Sequence, residues 1–332
     1  MVQDMNLNNK INVAILGAGG IGATMAQTLN KMKTARCYAV GSRNKDKAAE
    51  FAKKYGCKKS YGSYEELVAD KKVDLVYIAT PHSEHYEHAR LCIENGKAVL
   101  CEKAFTANAA QAEELIALAK EKNVLITEAI WTRYMPMLQT IKEVLNSGVI
   151  GVPTMLTANL GYVINGVSRL TDPALAGGAL LDVGVYTINF ASMIFGTEVK
   201  KLSSVCTYTK SGVDEQNSIT MVFEDGKMAV LNSSMLSLSD RKGIIYGTKG
   251  FAVIENINNF ESMTVYDSSY NKVEKYNRPK QISGYEYEVE ACAKALQNGE
   301  IECPQMPHAE TIRVMRLMDS LRYEWGIKYP FE

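Results

Sequence analysis

The chain has 332 residues, 46% of them apolar, and its 37 Lys and Arg residues are balanced by 37 Asp and Glu. That length and composition allow two hydrophobic cores, and the zero net charge gives no electrostatic case for nucleic acid or an anionic membrane as a partner. No run of about eighteen apolar residues occurs, the N-terminal MVQDMNLNNK lacks the pattern of a secretory leader, and seven cysteines without a C-x-x-C pair read as reduced thiols of a cytoplasmic protein. Along the first third, short apolar runs alternate with amphipathic segments. INVAIL (11–16) predicts a strand and 21–32 a helix; CYAVGS (37–42) predicts a strand and 45–55 a helix ended by Gly56. Ser63 caps a helix over 64–69, with Glu66 in the capping-box position. LVYIAT (75–80) is a buried strand stopped by Pro81, 84–95 a helix ended by Gly96, and AVLC (98–101) the next strand. A long amphipathic helix over 107–122 precedes the strand VLITEA (124–129). Alternation of this kind implies a parallel, doubly wound sheet with right-handed crossovers.

The pattern changes after Gly151. TMLTANLGY, KKLSSVCTY, NSITMVF, MAVLNSS and GIIYG follow one another with turns between them, and FEDGKMAV (223–230) is a hairpin signal with Asp225 and Gly226 in its turn. One helix over 179–195 interrupts the strands, and two more, over 285–297 and 308–325, close the chain. The expected fold class is α/β: an N-terminal Rossmann domain (1–128) and a C-terminal α+β domain (129–332) with a large, mostly antiparallel open sheet, whose last helix can pack back on the first domain. No Pro- or Gly-rich linker separates the halves, so a site between them is expected.

Gly17-x-Gly19-x-x-Gly22 lies between the first strand and the first helix. Gly17 permits a tight turn, Gly19 removes a side chain where a pyrophosphate must approach, and Gly22 lets helix and strand pack closely. The helix N-terminus then offers N–H groups and positive potential to the phosphates. About twenty residues on, where an NAD enzyme carries an acid for the ribose 2′-OH, the sequence reads Gly41-Ser42-Arg43-Asn44. A hydroxyl and a guanidinium suit a 2′-phosphate, so NADP is expected in preference to NAD.

In GGALLDVGVYTINF (177–190), Asp182 and Tyr186 are four residues apart on a largely apolar helix and share a face. A buried carboxylate and phenol need partners. Lys103, at the end of the AVLC strand, is the natural one, because a cation beside a phenol or alcohol favours the deprotonated oxygen. Such a set suits hydride transfer, in which one group shuttles the alcohol proton while the nicotinamide takes the hydride. His82, His85 and His88 have poor spacing for zinc and no fourth ligand, so no metal is expected.

INVAILGAGGIG, ATPHSEHYEHARLCIENGKAVLCEKAFTAN and LTDPALAGGALLDVGVYTIN occur in the order and spacing of the glucose–fructose oxidoreductase/inositol dehydrogenase (Gfo/Idh/MocA) family, which the chain resembles over nearly its whole length. EAIWTRYMP (128–136) and the D-x-G-V-Y form of the helix motif look most like its dimeric dihydrodiol dehydrogenase and NADP-dependent xylose dehydrogenase branch. The resemblance implies an open second-domain sheet whose exposed face makes a homodimer. It also implies that Lys103 contacts nicotinamide and substrate, and that Asp182 and Tyr186 are the acidic residue and the proton donor or acceptor. Thr80, Pro81 and His82 would border the nicotinamide ribose. The cofactor contacts expected are Gly17, Gly19, Gly20, Ile21 and Gly22, then Ser42 and Arg43, Thr80, Pro81, His82 and His85, Glu102 and Lys103, and Trp131 and Arg133. Lys103, Trp131, Arg169, Asp182 and Tyr186 are expected to meet the substrate. The family's E-K-P is Glu102-Lys103-Ala104 here, Tyr186 stands where many members carry histidine, and Ala176 stands where a third glycine is common. The expected activity is NADP-dependent oxidoreduction of a secondary alcohol or carbonyl in a sugar, polyol or cyclic diol. The competing readings are a non-catalytic NADP-dependent sensor, which has no use for the Lys, Asp and Tyr set, and a glycoside hydrolase using held NAD, which would want the missing acid after the second strand.

Overall fold

A computed structural model describes residues 10–332; the reading of the N-terminal segment as lacking a leader falls almost wholly outside them. The chain forms two compact units. The first runs up to Tyr134 and takes in Gln281–Arg316; the second comprises Met135–Lys280 and Leu317–Glu332.

In the first unit, β1 (Ile11–Leu16), α1 (Gly20–Leu29), β2 (Ala35–Gly41), α2 (Lys45–Tyr55), β3 (Lys59–Tyr61), α3 (Tyr64–Ala69), β4 (Leu75–Ile78), α4 (His85–Glu94), β5 (Ala98–Glu102), α5 (Ala109–Lys122) and β6 (Ile126–Ala129) follow in turn. The sheet is parallel, in the order β3-β2-β1-β4-β5-β6. That is the doubly wound order, which reverses between β1 and β4 and leaves a crevice at their carboxyl ends. Strands β4, β5 and β6 are buried at every position, as expected of strands covered on both faces. Helix starts follow their caps: Asn44 and Asn108 accept from the third backbone N–H of α2 and α5. Ser63 accepts from Glu66 N at 3.2 Å, while the Glu66 carboxylate reaches one residue further back than a capping box does, to Gly62 N. The strand β3 was not anticipated: only three residues long, it has too little pattern to read.

The second unit holds α6 (Pro136–Asn146), β7 (Pro153–Gly161), α7 (Ser168–Thr171), α8 (Val185–Phe195), β8 (Val199–Tyr208), β9 (Asp214–Phe223), β10 (Met228–Ser234), β11 (Gly243–Gly247), β12 (Gly250–Glu255), β13 (Ser262–Asp267) and β14 (Lys272–Asn277). The chain closes with α9 (Glu286–Asn298) and α10 (His308–Glu324). The eight strands form one sheet, β14-β13-β12-β11-β7-β10-β9-β8, antiparallel except where β10 runs parallel to β7. The Asp225 and Gly226 turn joins β9 to β10, with Gly226 at φ +86°. Nine of the eleven α8 residues are buried, so this helix shows no polar stripe. The Pro173–Phe195 segment is apolar enough to cross a membrane by length and composition, and its burial is that of a core helix. Packing on the sheet is close: a Cβ at Gly243 would sit 2.5 Å from the Phe190 ring.

Candidate active site

The phosphate loop is shaped by two glycines at which any side chain would be strained. Gly17 has φ +114°, and a Cβ there would lie 2.8 Å from the Ala79 carbonyl oxygen. A Cβ on Gly22 would lie 2.6 Å from the Gly17 oxygen. Gly19 is different: a Cβ would meet nothing closer than 4.0 Å, so its bareness faces open space in front of α1. Gly20 and Ile21 form the first turn of that helix, which carries no acidic residue to compete with a bound anion.

A cavity of about 360 Å³ opens beside this loop. Gly17 and Gly19 line it together with Ser42, Arg43 and Asn44 from the end of β2 and Thr80 and Pro81 from the end of β4. Ser42 is buried and its Oγ accepts from Asn44 N at 3.2 Å, which fixes the turn. Arg43 is exposed. Burial, and then the Arg43 charge, push the imidazole of His88 down to about 4, and its Nδ1 lies 3.0 Å from Thr80 Oγ1. Cavity, bare glycine and open helix end fit a dinucleotide.

The three histidines read from the sequence go to different partners. His82 is buried and meets the His85 ring edge-on at 5.7 Å. His85 is fully buried, with its two ring nitrogens 2.9 Å from the carbonyl oxygens of Ala104 and Thr80. Burial pushes its pKa down to about 4, so the neutral ring donates to one carbonyl at a time. It thereby ties the β4 end to the lysine loop.

That loop begins where β5 ends. Glu102 is buried, accepts from the Tyr77 hydroxyl, and lies 3.2 Å from Lys103 N. Lys103 itself is half-buried. The Lys103-Ala104 peptide is cis, at the position where the family's motif has proline. Glu288 of α9 is also buried; desolvation and the Glu102 charge raise its carboxyl well above the usual range. Neither Tyr77 nor Glu288 was anticipated. Each looks like an ordinary core or helix residue in sequence, and only the pairing of β4 with β5 and the placement of α9 bring them near Glu102.

Trp131 stacks on Tyr285 with centroids 4.1 Å apart. The Arg133 guanidinium pairs with Glu310, which also takes two bonds from Arg313. Beside them Glu128 is buried, and desolvation pushes its carboxyl up to about 7 against the pull of Arg133. These are cohesive contacts of the first unit.

In the second unit, the helix expected over 179–195 opens with a π-helical turn, Leu180–Gly184, before α8; such turns often mark functional sites. The two glycines before it are obligatory. A Cβ on Gly177 would lie 2.6 Å from the Leu170 oxygen, and one on Gly178, at φ +126°, 2.4 Å from Asp214 Oδ1. Asp214 is buried and accepts from Leu180 N at 2.8 Å and Asn217 Nδ2 at 2.9 Å. It therefore caps the turn; burial still pushes its carboxyl up to about 6. It lies 34 residues from its partner, so no local pattern could reveal it. Asp182 is buried within the π turn, and Arg169 of α7 donates to its Oδ1 at 3.2 Å. Tyr186 follows on the first turn of α8, 7% exposed. Ala176 takes the left-handed φ of +52° at which a third glycine would be natural.

Comparison with known proteins gives this geometry its setting. Residues 11–130 match the model of an oxidoreductase family with an NAD-binding Rossmann fold, and residues 138–253 match the GFO/IDH/MocA C-terminal domain. Trans-1,2-dihydrobenzene-1,2-diol dehydrogenase of Mus musculus is 33% identical over 329 residues, covering 95% of this chain and 97% of the relative. The chain belongs to the Gfo/Idh/MocA oxidoreductase family. The Xenopus laevis dihydrodiol dehydrogenase is 34% identical over 298 residues, 88% of this chain and 90% of that protein. Among solved structures, the 3-ketoreductase KijD10 from Actinomadura kijaniata, in complex with NADP and TDP-benzene, superposes with a TM-score of 0.86 at 24% identity, covering 95% of this chain and 98% of that one. The aldose-aldose oxidoreductase from Caulobacter crescentus, complexed with glycerol, gives 0.87 at 20% identity, with 96% and 98% covered. At these identities the structures establish the fold. As a member of the family this chain is an NAD(P)-dependent oxidoreductase of the dehydrogenase type.

Proposed function

We propose that this oxidoreductase prefers NADP and exchanges a hydride with a secondary alcohol or carbonyl on a sugar, polyol or cyclic diol. The observation that carries the cofactor preference is the cavity at the end of β2. Ser42, Arg43 and Asn44 line it where an NAD enzyme would place a carboxylate, and Lys47 adds a second cation. Gly17, Gly19 and the first turn of α1 would hold the pyrophosphate. When bound, the nicotinamide supplies the hydride acceptor or donor. Lys103 and Tyr186 are the groups proposed to move the hydroxyl proton, and Asp182, one turn before Tyr186 with its carboxylate held by Arg169, is proposed to orient the phenol. Glu102 fixes the backbone of the lysine through Lys103 N. The substrate class draws support from the dihydrodiol dehydrogenases, which cover nearly the whole chain at about one-third identity.

The retained Lys, Asp and Tyr set disfavours a sensor, and the lack of an acid directly after β2 disfavours an NAD-dependent hydrolase. Oxidation of NADPH followed at 340 nm across aldoses, ketoses and cyclic diketones tests the reading. Turnover with at least one class, and a higher kcat/KM with NADPH than with NADH, is expected. Tight NADPH binding with no turnover anywhere would favour the sensor. The Lys103→Met variant should lose turnover while its NADPH dissociation constant stays within a few-fold; near-normal kcat would remove the lysine from the chemistry.

We also propose a homodimer through the open face of the eight-stranded sheet. Support comes from exposed Val205 on β8, 69% accessible, which borders a shallow depression of about 680 Å³ with Asn159, Gln216 and Asn232. Light scattering of the wild type should give twice the chain mass, and Val205→Asp should shift it toward the monomer.

A further inference from the structure

No spacing in the sequence pairs any of the seven cysteines, yet Cys37 and Cys57 meet near the surface. Cys37 on β2 and Cys57, just past the C-terminus of α2, are twenty residues apart in the chain and bring their sulfurs to 2.7 Å. Both are free thiols. Both backbones are anchored: Cys37 lies in the middle of β2 in register with Val13, and Cys57 N donates to the Ala52 oxygen at 3.0 Å. A disulfide requires about 2.05 Å between sulfurs, so the two sulfurs already lie close to bonding distance.

We propose that Cys37 and Cys57 are a reversible disulfide site, closed by exchange with a low-molecular-weight anionic disulfide of the glutathione type. The two thiols are not equivalent, and their difference sets the order of events. Cys37 is only 5% exposed, whereas Cys57 is half-buried and within reach of solvent. The hydrogen bond from Cys37 lowers the Cys57 thiol, and the same bond, with burial, raises Cys37. Cys57 is therefore the attacking thiolate. Exposed lysines flank it at positions 53, 54, 58 and 59, a cationic surround that suits an anionic disulfide.

In the first step the Cys57 sulfur bonds to one sulfur of the disulfide, whose S–S bond breaks; the departing thiolate takes up a proton. In the second, Cys37 gives its proton to solvent and its sulfur attacks Cys57 Sγ, expelling the second thiolate. One external disulfide is reduced to two thiols, and two protein thiols are oxidised to one disulfide. The other five cysteines do not compete on the same terms. Cys206 is half-buried like Cys57, but burial raises its thiol. Cys92, Cys101, Cys292 and Cys303 are all buried; burial raises the thiols of Cys92 and Cys101, and a hydrogen bond with Cys303 raises that of Cys292. The closed segment contains Ser42, Arg43 and Asn44, so the link would clip together the two ends of the stretch that lines the cavity beside the phosphate loop.

The full-length enzyme is incubated with excess oxidised glutathione, quenched with an alkylating agent, and mapped without reduction. The expected product is lighter by two hydrogens, carries a peptide joining Cys37 to Cys57, and reverts with dithiothreitol. Cys37→Ser should stop at a stable glutathione adduct on Cys57, and Cys57→Ser should form neither adduct nor link at Cys37. The map of the wild type decides the matter even if a variant folds poorly. Recovery of Cys37 and Cys57 as alkylated thiols, a lasting glutathione adduct on wild-type Cys57, or a link confined to other cysteines would overturn the assignment.

Discussion

Arg169 donates to Asp182 Oδ1 at 3.2 Å, joining a short helix to the π-helical turn that precedes Tyr186. The arginine side chain is 44% exposed and the aspartate 9%, so water screens the pair from one side. An ion pair of this kind contributes about 0.2–1 kcal/mol. If Asp182 orients Tyr186 and Arg169 only steadies Asp182, their removal should differ in scale. Arg169→Met should lower kcat/KM by about fivefold, and Asp182→Asn should lower kcat by about 100-fold or more, within the range of acid–base groups. Steady-state kinetics on the best substrate measure both. A loss in Arg169→Met as large as that in Asp182→Asn would give the arginine its own contact with substrate.

The glycines of the phosphate loop separate folding from binding. Gly22→Ala places a Cβ 2.6 Å from backbone oxygen, an overpacking that costs about 1–3 kcal/mol. Its melting temperature without nucleotide should fall by several degrees. Gly19→Ala meets nothing closer than 4.0 Å, and the residue has φ −101°, which alanine adopts freely. It should melt within about a degree of the wild type, yet bind NADPH at least about tenfold more weakly, a difference of 1.4 kcal/mol. Differential scanning fluorimetry with and without NADPH reads both effects. Unchanged affinity in Gly19→Ala would mean that the cofactor does not approach this residue.

The contrast shows what was legible in the sequence. Strong periodicity gave the parallel sheet, its crossovers and the hairpin at Asp225 and Gly226, because each rests on contacts or turn chemistry close in the chain. Gly17, Gly19 and Gly22 were legible for the same reason. Asp214 was not: it caps the π turn at Leu180 from the start of β9, and a lone aspartate at a strand start carries no mark of that duty. Nor did the sequence show the π turn at Leu180–Gly184, whose extra residue per turn leaves a uniformly apolar stretch looking like any buried helix. The partners of Arg169, Arg133 and Glu102 were likewise set by tertiary packing rather than by spacing.

Cofactor choice can be tested at one side chain. Arg43 is exposed, lines the cavity and makes its charge felt at His88. A charge-assisted hydrogen bond to a 2′-phosphate is worth about 1.5–3 kcal/mol, or a factor of about 10–100. Arg43→Ala should reduce the ratio of kcat/KM for NADPH over NADH by that factor, mainly through KM for NADPH, with kcat little changed. An unaltered ratio would leave recognition of the phosphate to Ser42 and Lys47.

Glu128 gives a stability test independent of catalysis. Its carboxyl is fully buried, and desolvation raises it from an ordinary 4.5 to about 7. The folded state therefore holds this proton more tightly than the unfolded chain does. The associated stability is complete below about pH 4.5 and is lost as pH rises through about 7. Across that window the shift corresponds to a loss of about 3 kcal/mol. Glu128→Gln keeps the shape and removes the titration. Its melting temperature relative to the wild type should therefore rise between pH 5 and pH 7.5 by several degrees. His85 and His88 complete their titration below this range in the folded state and are common to both proteins, so the difference isolates Glu128. Parallel melting curves for the two proteins from pH 5 to 7.5 would show that Glu128 ionises in the fold as it does in water, with Arg133 holding its charge.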